Sequence, residues 1–324
     1  MDHPASTWQP AATLDRLRAR ARLLAQVRGF FASRGVLEVE TPCLAAAATP
    51  DPALESFAVP CRDGSQPGGR SLYLQTSPEF AMKRLLAAGS GDIYQVTRAF
   101  RDGERGRWHN PEFTLLEWYR LGFDHCRLME EVADLVALVL PGAGEFTRVA
   151  YRTLFLEALD LDPLACTSDQ LAAKARAHGI DTAGRLDHQA WLDLLFTHVL
   201  EPRLAGRAVF VHGFPAAQAA LARLDPDDPR TAQRFELYVG GIELANGFHE
   251  LSDPDEQRAR FAADRERRRA AGLPPVAPDE RFLAALEAGM PDCAGVALGL
   301  DRLLMLAEQA DRIDDVLAFP VERA

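Results

Sequence analysis

The chain lacks the features that would direct it into or across a membrane. No run of apolar residues approaches the length of a transmembrane helix, and the N-terminal MDHPASTWQP has no apolar segment of the kind found in secretion signals. Cysteine is scarce: the five thiols (Cys43, Cys61, Cys126, Cys166 and Cys293) are scattered, odd in number and form no C-x-x-C pair. Such cysteines are typical of reduced thiols. We therefore expect a cytoplasmic protein that makes no membrane contact.

The common nucleotide-binding and hydrolase motifs are also missing. The sequence has no G-x-x-x-x-G-K-[ST] loop, no G-x-G-x-x-G turn and no G-x-S-x-G elbow. His249 and Glu250 do not belong to an H-E-x-x-H zinc motif, because the residue three positions after Glu250 is Asp253. Any nucleotide chemistry must therefore rest on Arg and Glu side chains carried by strands.

Positive charge is in deficit. The chain has 36 Lys and Arg against 47 Asp and Glu, and its net charge of −11 argues mildly against a large nucleic-acid footprint. A length of 324 residues with 48% hydrophobic residues suits one large globular domain or one and a half.

Hydrophobic periodicity predicts an order of helices and strands. An amphipathic helix over residues 13–34 is followed by the segment VLEVETP, a strand that ends at Pro42. Residues 44–70, rich in Ala, Pro and Gly, are expected to form a loop. Ser77 is predicted to cap a helix in which Pro78 takes the first position. The remaining strands are predicted at 72–76, 92–100, 112–119 and 208–212, and the remaining helices near 124–140, 151–160, 168–178, 187–200, 253–271 and 279–288.

The stretch from Thr97 to Arg120, TRAFRDGERGRWHNPEFTLLEWYR, predicts two strands joined by a charged loop. Alternation along EFTLLEWY places Glu117 and Tyr119 on one face, where they could form the polar wall of a pocket. Arg101 follows the neighbouring strand and could hold a phosphate in bidentate geometry. An ordinary hairpin with a solvated loop accounts for the same pattern, so both interpretations stay open here.

A second informative block is RFELYVGGIELANGFHEL, residues 234–251, in which the Gly-Gly pair predicts a two-residue β-hairpin turn. The expected pairs are Val239 with Ile242, Tyr238 with Glu243 and Glu236 with Ala245. Glu236 and Glu243 then lie on one face, roughly 7 Å apart at Cβ. This proximity indicates a bound divalent cation such as Mg²⁺, a raised pKa on one carboxyl, or exposure on a wet edge.

A third block is CAGVALGLDRLLMLA, residues 293–307, which predicts a strand that runs into a helix beginning near Leu300. Arg302 in the first turn of this helix opposes the helix dipole, and a bound anion beside it would account for the placement. The small residues of the strand are Ala294, Gly295, Ala297 and Gly299. They suit either close approach of a ligand or tight packing of the strand against a helix.

Three blocks, taken in order, resemble the signature motifs of class II aminoacyl-tRNA synthetases. They are RGVLEVETP, then FRDGERGRWHNPEFTLLE from residue 100 to 117, and GLDR at 299–302. The lysine-specific branch is the most similar, because RFELYVGGIELANGFHEL resembles its lysine-pocket segment. The resemblance covers nearly the whole chain, from about residue 13 to the end.

Lysyl-tRNA synthetases carry an N-terminal OB-fold that binds the anticodon, and here the first motif begins too early to leave room for one. The segments TSPEFAMKRLL, FPAAQAALA, GFHEL and MPDCAGVALGLDRL are similar to a stand-alone family of lysyl-type ligases that join (R)-β-lysine to a lysine side chain of translation elongation factor P. The resemblance implies an α+β fold of the class II synthetase catalytic type, with a mainly antiparallel sheet flanked by helices. It also implies one catalytic domain over residues 1–324, a helical insertion at about 124–205, a homodimer and no anticodon-dependent tRNA binding.

The same resemblance implies that ATP activates (R)-β-lysine as an adenylate before its transfer to elongation factor P. The substrate carboxylate is already ionised, so it can attack the α-phosphate without a general base. Arg101 would clamp the α-phosphate region and Arg302 the γ-phosphate. Glu236 and Glu243 would hold Mg²⁺, which neutralises the leaving pyrophosphate.

Further residues acquire roles from the resemblance. The implied ATP contacts are Arg101, Asp102, Gly103, Glu104, Asn110, Glu243, Leu244, Gly299 and Arg302. The implied substrate contacts are Ser77, Pro78, Glu79, Glu117, Tyr119, Asn246, Glu250 and Ala297. Glu250 and Tyr119 would hold the distal ammonium of the substrate, and Glu117 with residues 77–79 would lie near the other amine.

Two positions set this chain apart from related synthetases. Lysyl-tRNA synthetases have glycine where this chain has Ala297, and we expect the methyl group to crowd an α-amino group but to tolerate a β-amino group. After the Arg of the second motif the family often has Asn-Glu, whereas this chain has Asp102, Gly103 and Glu104. Glu104 could reach the usual Glu position through the flexible Gly103, or a backbone group could take over its role.

Two other functions are consistent with parts of the sequence. A truncated synthetase could charge tRNA or a tRNA-like acceptor, although the missing anticodon module and the net charge of −11 count against it. A catalytically inactive paralogue could serve as a regulatory subunit, although intact Arg101, Glu243, Glu250 and Arg302 argue against that function.

Overall fold

One large sheet forms the frame of the molecule. The computed structural model describes residues 8–62, 69–182 and 186–324. The strands are β1 (Leu37–Glu38), β2 (Leu44–Ala45), β3 (Ala58–Cys61), β4 (Arg70–Leu74), β5 (Ile93–Phe100), β6 (Glu112–Leu121), β7 (Phe146–Ala150), β8 (Ala208–Pro215), β9 (Thr231–Val239), β10 (Ile242–His249) and β11 (Cys293–Gly299). In these parts of the chain the large sheet has the order β1-β5-β6-β11-β10-β9-β8-β7, and a small sheet has the order β2-β4-β3.

The pairing in the large sheet is mainly antiparallel. Only the edge pairs β1–β5 and β7–β8 run parallel within the described residues. The helices are α1 (Leu14–Ala32), α2 (Glu79–Ala87), α3 (His125–Val139), α4 (Tyr151–Leu159), α5 (Ser168–Ala177), α6 (His188–Leu195), α7 (Pro254–Ala270), α8 (Glu280–Gly289) and α9 (Leu300–Ala307). This arrangement confirms the expected α+β class.

The two faces of the sheet have different coverings because its strands alternate. In β6, Leu116 and Trp118 are fully buried in a core that also contains residues of α1, α3 and α9. Glu117 and Tyr119 therefore point to the opposite face, where a cavity opens. The segment between β7 and β8 forms a second core with α4, α5 and α6, in which the aromatic rings of Tyr151 and Phe196 stack.

Several predicted boundaries need correction. Residues 44–70 are not a plain loop, because β2 and β3 pair with the two sides of β4; residues 63–68 lie outside the described part. The strand predicted at 72–76 lies at 70–74, VLEVETP contributes only β1, and β7 was not predicted. These short strands depend on partners distant in sequence, which local patterns do not show.

The start of α2 is also shifted by one residue. Pro78, rather than Ser77, takes the cap position, and Ser77 Oγ accepts a hydrogen bond from the Glu79 N–H at 3.0 Å. Ser77 thus supports the helix from one position earlier.

None of the helices in the described part of the chain combines the length and the apolar composition that a membrane crossing needs. Residues 1–7, which entered the expectation that no secretion signal is present, lie outside the described residues.

Candidate active site

Strand register arranges the predicted site residues in two adjacent rows across one face of the sheet. The first row runs Glu236, Asn246, Ala297, Glu117, on β9, β10, β11 and β6. The second row runs Arg234, Phe248, Gly295, Tyr119 on the same strands. Because residues two apart on a strand share a face, both rows lie on one surface, opposite the core of α1, α3 and α9.

A bulge in β10 brings Asn246 onto this surface. The predicted turn and the pairs Val239–Ile242 and Tyr238–Glu243 are confirmed. The predicted pair Glu236–Ala245 is wrong, because the register shifts after Glu243 and Glu236 faces Asn246 instead. Without the extra residue, the alternation would put Ala245 on the site face and Asn246 in the core.

A cavity of about 500 Å³ opens over these rows and collects most of the predicted substrate contacts. The predicted residues that line it are Ser77, Pro78, Glu79, Arg101, Glu117, Tyr119, Asn246, Glu250 and Ala297. The structure thus brings together residues that are dispersed over more than half of the sequence.

Glu117 lies at the buried end of the cavity and accepts two hydroxyl hydrogen bonds. Ser77 Oγ donates to Oε2 and the Tyr119 hydroxyl donates to Oε1, both at 2.6 Å. Burial raises the pKa of Glu117 to about 8, and the nearby Glu79 carboxylate adds to the shift. The polar wall predicted from the alternation of β6 is therefore present as a hydrogen-bonded unit.

Glu250 has an internal cationic partner that the sequence reading missed. The Nζ of Lys83 lies 2.5 Å from Glu250 Oε2 and 2.6 Å from Glu79 Oε1. Burial raises the pKa of Glu250 to about 7, although Lys83 acts in the opposite direction. The only local signal was the i, i+4 spacing of Glu79 and Lys83 on a predicted helix.

Gly295 lets two pocket side chains approach the sheet. A methyl group there would lie 2.3 Å from the Tyr119 ring and 2.5 Å from Glu250 Oε1. Tight packing therefore explains the glycine at position 295. Its close neighbours are pocket side chains rather than a helix.

Arg101 begins the second part of the site, toward the outer edge of the cavity. Its backbone N–H donates to Pro111 O at 2.9 Å, and its guanidinium lies over the Phe113 ring at 5.0 Å. Glu104 Oε1 is 3.6 Å from the guanidinium, and the positive φ of Gly103, +79°, permits the turn between them. Among the described residues, the buried Nε of Arg101 meets no hydrogen-bond partner, as expected for a group that awaits a ligand.

Arg302 is held at the start of α9 by the motif loop and the hairpin. It donates to Glu243 O at 2.8 Å and to Trp108 O at 3.2 Å, and its Nη2 lies 2.6 Å from His109 Nε2. Burial and the Arg302 charge lower the pKa of His109, so the imidazole is neutral and its Nε2 accepts. His109 was missed in the sequence.

Glu236 and Glu243 differ in environment although they share a face. Glu236 is buried and accepts hydrogen bonds from Tyr238 at 2.6 Å, from Asn246 at 3.3 Å and from Arg234. Burial raises its pKa, and Glu243 raises it further. Glu243 is 40% exposed. Exposure to solvent therefore explains how Glu243 is accommodated, but it does not explain the buried Glu236.

Glu201 is a third carboxyl near this pair that the sequence reading did not identify. Burial, Glu243 and Glu236 raise its pKa to about 7. Within the described ranges, no three Asp, Glu, His or Cys side chains are placed to enclose a metal ion. A Mg²⁺ ion held by two carboxylates and completed by substrate phosphates remains compatible with this donor set.

Two predicted ATP contacts have side chains that are engaged elsewhere. The Asn110 amide donates to Glu112 O at 2.6 Å and accepts from the Val321 N–H at 3.1 Å. Leu244 is buried in the main core. Neither side chain is therefore available to contact a nucleotide.

The order of strands, the two arginines and the carboxylate-lined cavity define a catalytic domain of the class II synthetase type. The family model of class II tRNA synthetases (D, K and N) matches residues 7–323. The chain therefore belongs to the class II tRNA synthetase family.

Curated relatives resemble the chain over nearly its full length. A protein of Vibrio cholerae serotype O1 (strain ATCC 39315 / El Tor Inaba N16961) is 51% identical over 322 residues, which cover 98% of this chain and 99% of the relative. One of Vibrio parahaemolyticus serotype O3:K6 (strain RIMD 2210633) is 50% identical, covering 97% and 98%. One of Hamiltonella defensa subsp. Acyrthosiphon pisum (strain 5AT) is 48% identical, covering 99% of both. All three are named elongation factor P–(R)-beta-lysine ligase.

Proposed function

We propose that this protein is an ATP-dependent ligase that activates (R)-β-lysine and transfers it to a lysine side chain of elongation factor P. The observation that carries the proposal is a cavity lined by carboxylates that suit a diamino acid and by Arg101, which suits a phosphate, with Arg302 held nearby against Glu243 of β10. The names and near-complete coverage of the relatives support the choice of substrate and acceptor.

Activation follows from the charges of this site. The substrate carboxylate needs no general base, so the barrier is mainly charge repulsion and alignment with the α-phosphate. Arg101 would hold the α-phosphate region with its unpartnered Nε, and Arg302 the γ-phosphate. Glu236 and Glu243 would hold Mg²⁺, which supplies positive charge against the leaving pyrophosphate. Backbone groups of Asn110, Leu244 and Gly299 would contact the nucleotide.

The substrate amines would occupy the carboxylate end of the cavity. Glu250 and Tyr119 would receive the distal ammonium, and Glu117 with Ser77 and Glu79 would receive the other. Asn246 is well placed to orient the substrate, since its buried Oδ1 meets no partner among the described residues. Ala297 lies between Asn246 and Glu117 in the same row, where its methyl group would discriminate α- from β-amino groups.

The protein is proposed to act in the cytoplasm as a homodimer, with one catalytic domain and without anticodon-dependent tRNA binding. Large apolar side chains are exposed on α1, on β1 and near the C-terminus, and an interface would cover them. They are Leu14, Leu37, Phe319 and Val321.

ATP–pyrophosphate exchange tests the activation step by itself. Exchange that depends on (R)-β-lysine, without any RNA or elongation factor P, is the expected result. No exchange with (R)-β-lysine would refute the proposal, and acid-stable charging of bulk tRNA with lysine would favour a tRNA-charging enzyme instead.

A further inference from the structure

Lysine is almost absent from this chain, and one of its two lysines is fully buried in the substrate cavity region. Of the 36 basic residues only Lys83 and Lys174 are lysines. Lys83 lies on α2 and is 0% exposed. A chain that otherwise uses arginine keeps lysine at a place where a compact charge is required.

The contacts of Lys83 join two elements of the pocket. Its Nζ lies 2.6 Å from Glu79, one helical turn earlier, and 2.5 Å from Glu250, just after β10. Phe282 of α8 covers the ammonium at 5.7 Å from the ring centre. An ammonium has three N–H donors around one small atom, so it can contact two carboxylates within a small, fully buried space.

The number of charges in the pocket matches a substrate with two amines. Three carboxylates converge there. They are Glu79, Glu117 and Glu250. Lys83 offsets one of them, while Arg234 pairs with Glu236 and Arg223 pairs with Asp292. When all three carboxyl groups are ionised, two negative charges are left for the two ammonium groups of the substrate.

The other titratable groups against this cluster are Glu117, Tyr119, Cys293 and Arg223, whose guanidinium donates to Glu250 O at 3.1 Å. Burial raises the pKa of the Tyr119 hydroxyl and of the Cys293 thiol. Burial would lower the pKa of Lys83, but Glu250 and Glu79 raise it above its usual value. Lys83 therefore stays protonated and favours the ionised form of Glu250.

Resting on the function proposed above, we propose that Lys83 is a positioning residue that sets the charge of the amine pocket. It holds Glu250 and Glu79 in place and favours the ionised form of Glu250, so that the pocket accepts a diamino acid. Without Lys83, the two carboxylates would repel each other, and a larger fraction of Glu250 would be protonated at neutral pH. One ammonium of the substrate would then lose its anionic partner.

The variant Lys83→Met tests this role, because methionine keeps the length of the side chain and removes its charge. We expect the KM for (R)-β-lysine in pyrophosphate exchange at pH 7 to rise about tenfold or more, with a smaller change in kcat and in the KM for ATP. Its pH profile should shift to higher pH, because Glu250 ionises at higher pH once the Lys83 charge is removed. Lys174→Met, on α5, is the matched control and should behave like the wild type.

A second variant separates the charge from the packing. In Lys83→Ala, methylammonium added to the buffer should partly restore the KM by entering the space left by the side chain, whereas an uncharged molecule of similar size should not. An unchanged KM and pH profile in Lys83→Met, or an equal rise in the KM for ATP, would overturn the proposal.

Nuclear magnetic resonance of the wild type gives a readout that needs no activity. Isotope-labelled lysine yields two side-chain signals, and the one lost in Lys83→Met belongs to Lys83. That signal should remain in its protonated form at about pH 10.4, where an unperturbed lysine is half titrated; half-titration there would overturn the inference. A wild type that does not activate (R)-β-lysine would refute the proposed function, and the titration would still decide the state of Lys83.

Discussion

The amine end and the phosphate end of the site are built in different ways. At the amine end, Lys83, Glu117 and Glu250 are at most 2% exposed and already have partners within the protein. At the phosphate end, Arg101 and Glu243 are 26% and 40% exposed, and their ionic contacts are 3.6 Å long. We infer that the amine end is formed before the substrate arrives, whereas the phosphate end acquires its partners with ATP.

Substitution of Arg302, at the phosphate end, should reduce activity more than the other substitutions below. Arg302→Ala should lower kcat for pyrophosphate exchange by about 10³-fold, because it removes positive charge where charge develops in the transition state. Pyrophosphate exchange at saturating substrate measures it. Arg269→Ala is the control, since Arg269 is exposed and pairs only with its helix neighbour Glu266. An effect confined to the KM for (R)-β-lysine, with kcat unchanged, would contradict the assignment of Arg302 to phosphate.

Substitution of Glu250, at the amine end, should have the second-largest effect. Glu250→Ala should weaken (R)-β-lysine binding by about 3 kcal/mol, because it removes the carboxylate of a buried ion pair and leaves Lys83 with Glu79 alone. The KM for (R)-β-lysine and calorimetric binding measure this loss, with the exposed Glu287→Ala as control. Unchanged activation kinetics would refute the pocket assignment.

A pH titration tests the amine end, where two carboxyl groups have raised pKa values, as Glu236 and Glu201 do near the phosphate end. In the folded protein the pKa values of Glu117 and Glu250 are about 8 and about 7, against a usual 4.5. The folded state therefore binds more protons than the unfolded chain between about pH 4.5 and 8, so these groups make the ligand-free protein less stable as pH rises through that range. (R)-β-lysine should bind more tightly over the same range, because its ammonium groups pair with the ionised carboxylates.

Thermal unfolding at several pH values measures the first effect. The wild type should lose stability relative to Glu117→Gln as the pH increases from about 5 to 8, because glutamine does not titrate. Parallel curves for the two proteins would show that Glu117 does not titrate as the structure indicates.

Substitution of Ala297, in the row of residues across the sheet, should have the smallest effect. Ala297→Gly should raise the ratio of α-lysine to (R)-β-lysine activation several-fold, on the order of 1 kcal/mol, because it removes one methyl group beside the amine. Pyrophosphate exchange with each isomer gives the ratio. A ratio that does not rise would exclude Ala297 as the discriminator.

The sequence was informative where local alternation decides the outcome. The faces of Glu117 and Tyr119 on β6, the Gly240-Gly241 turn and the strand leading to Arg302 follow from short-range pattern and were predicted. These elements account for the main frame of the site.

The sequence was uninformative where a distant partner decides. The bulge that turns Asn246 toward the cavity inserts one residue without a Gly or Pro signal. Lys83 was not predicted as a site residue, because its second partner, Glu250, lies far along the chain. The Asn110 side chain likewise has a distant partner, because it accepts a hydrogen bond from Val321 near the C-terminus.

The account as a whole is tested most directly by weighing the acceptor. The protein is mixed with ATP, Mg²⁺, elongation factor P and either (R)-β-lysine or α-lysine, and the factor is analysed by mass spectrometry. We predict that one lysyl group is added to one lysine side chain. A larger fraction of the factor should be modified with (R)-β-lysine than with α-lysine. No mass gain with either isomer would contradict the account.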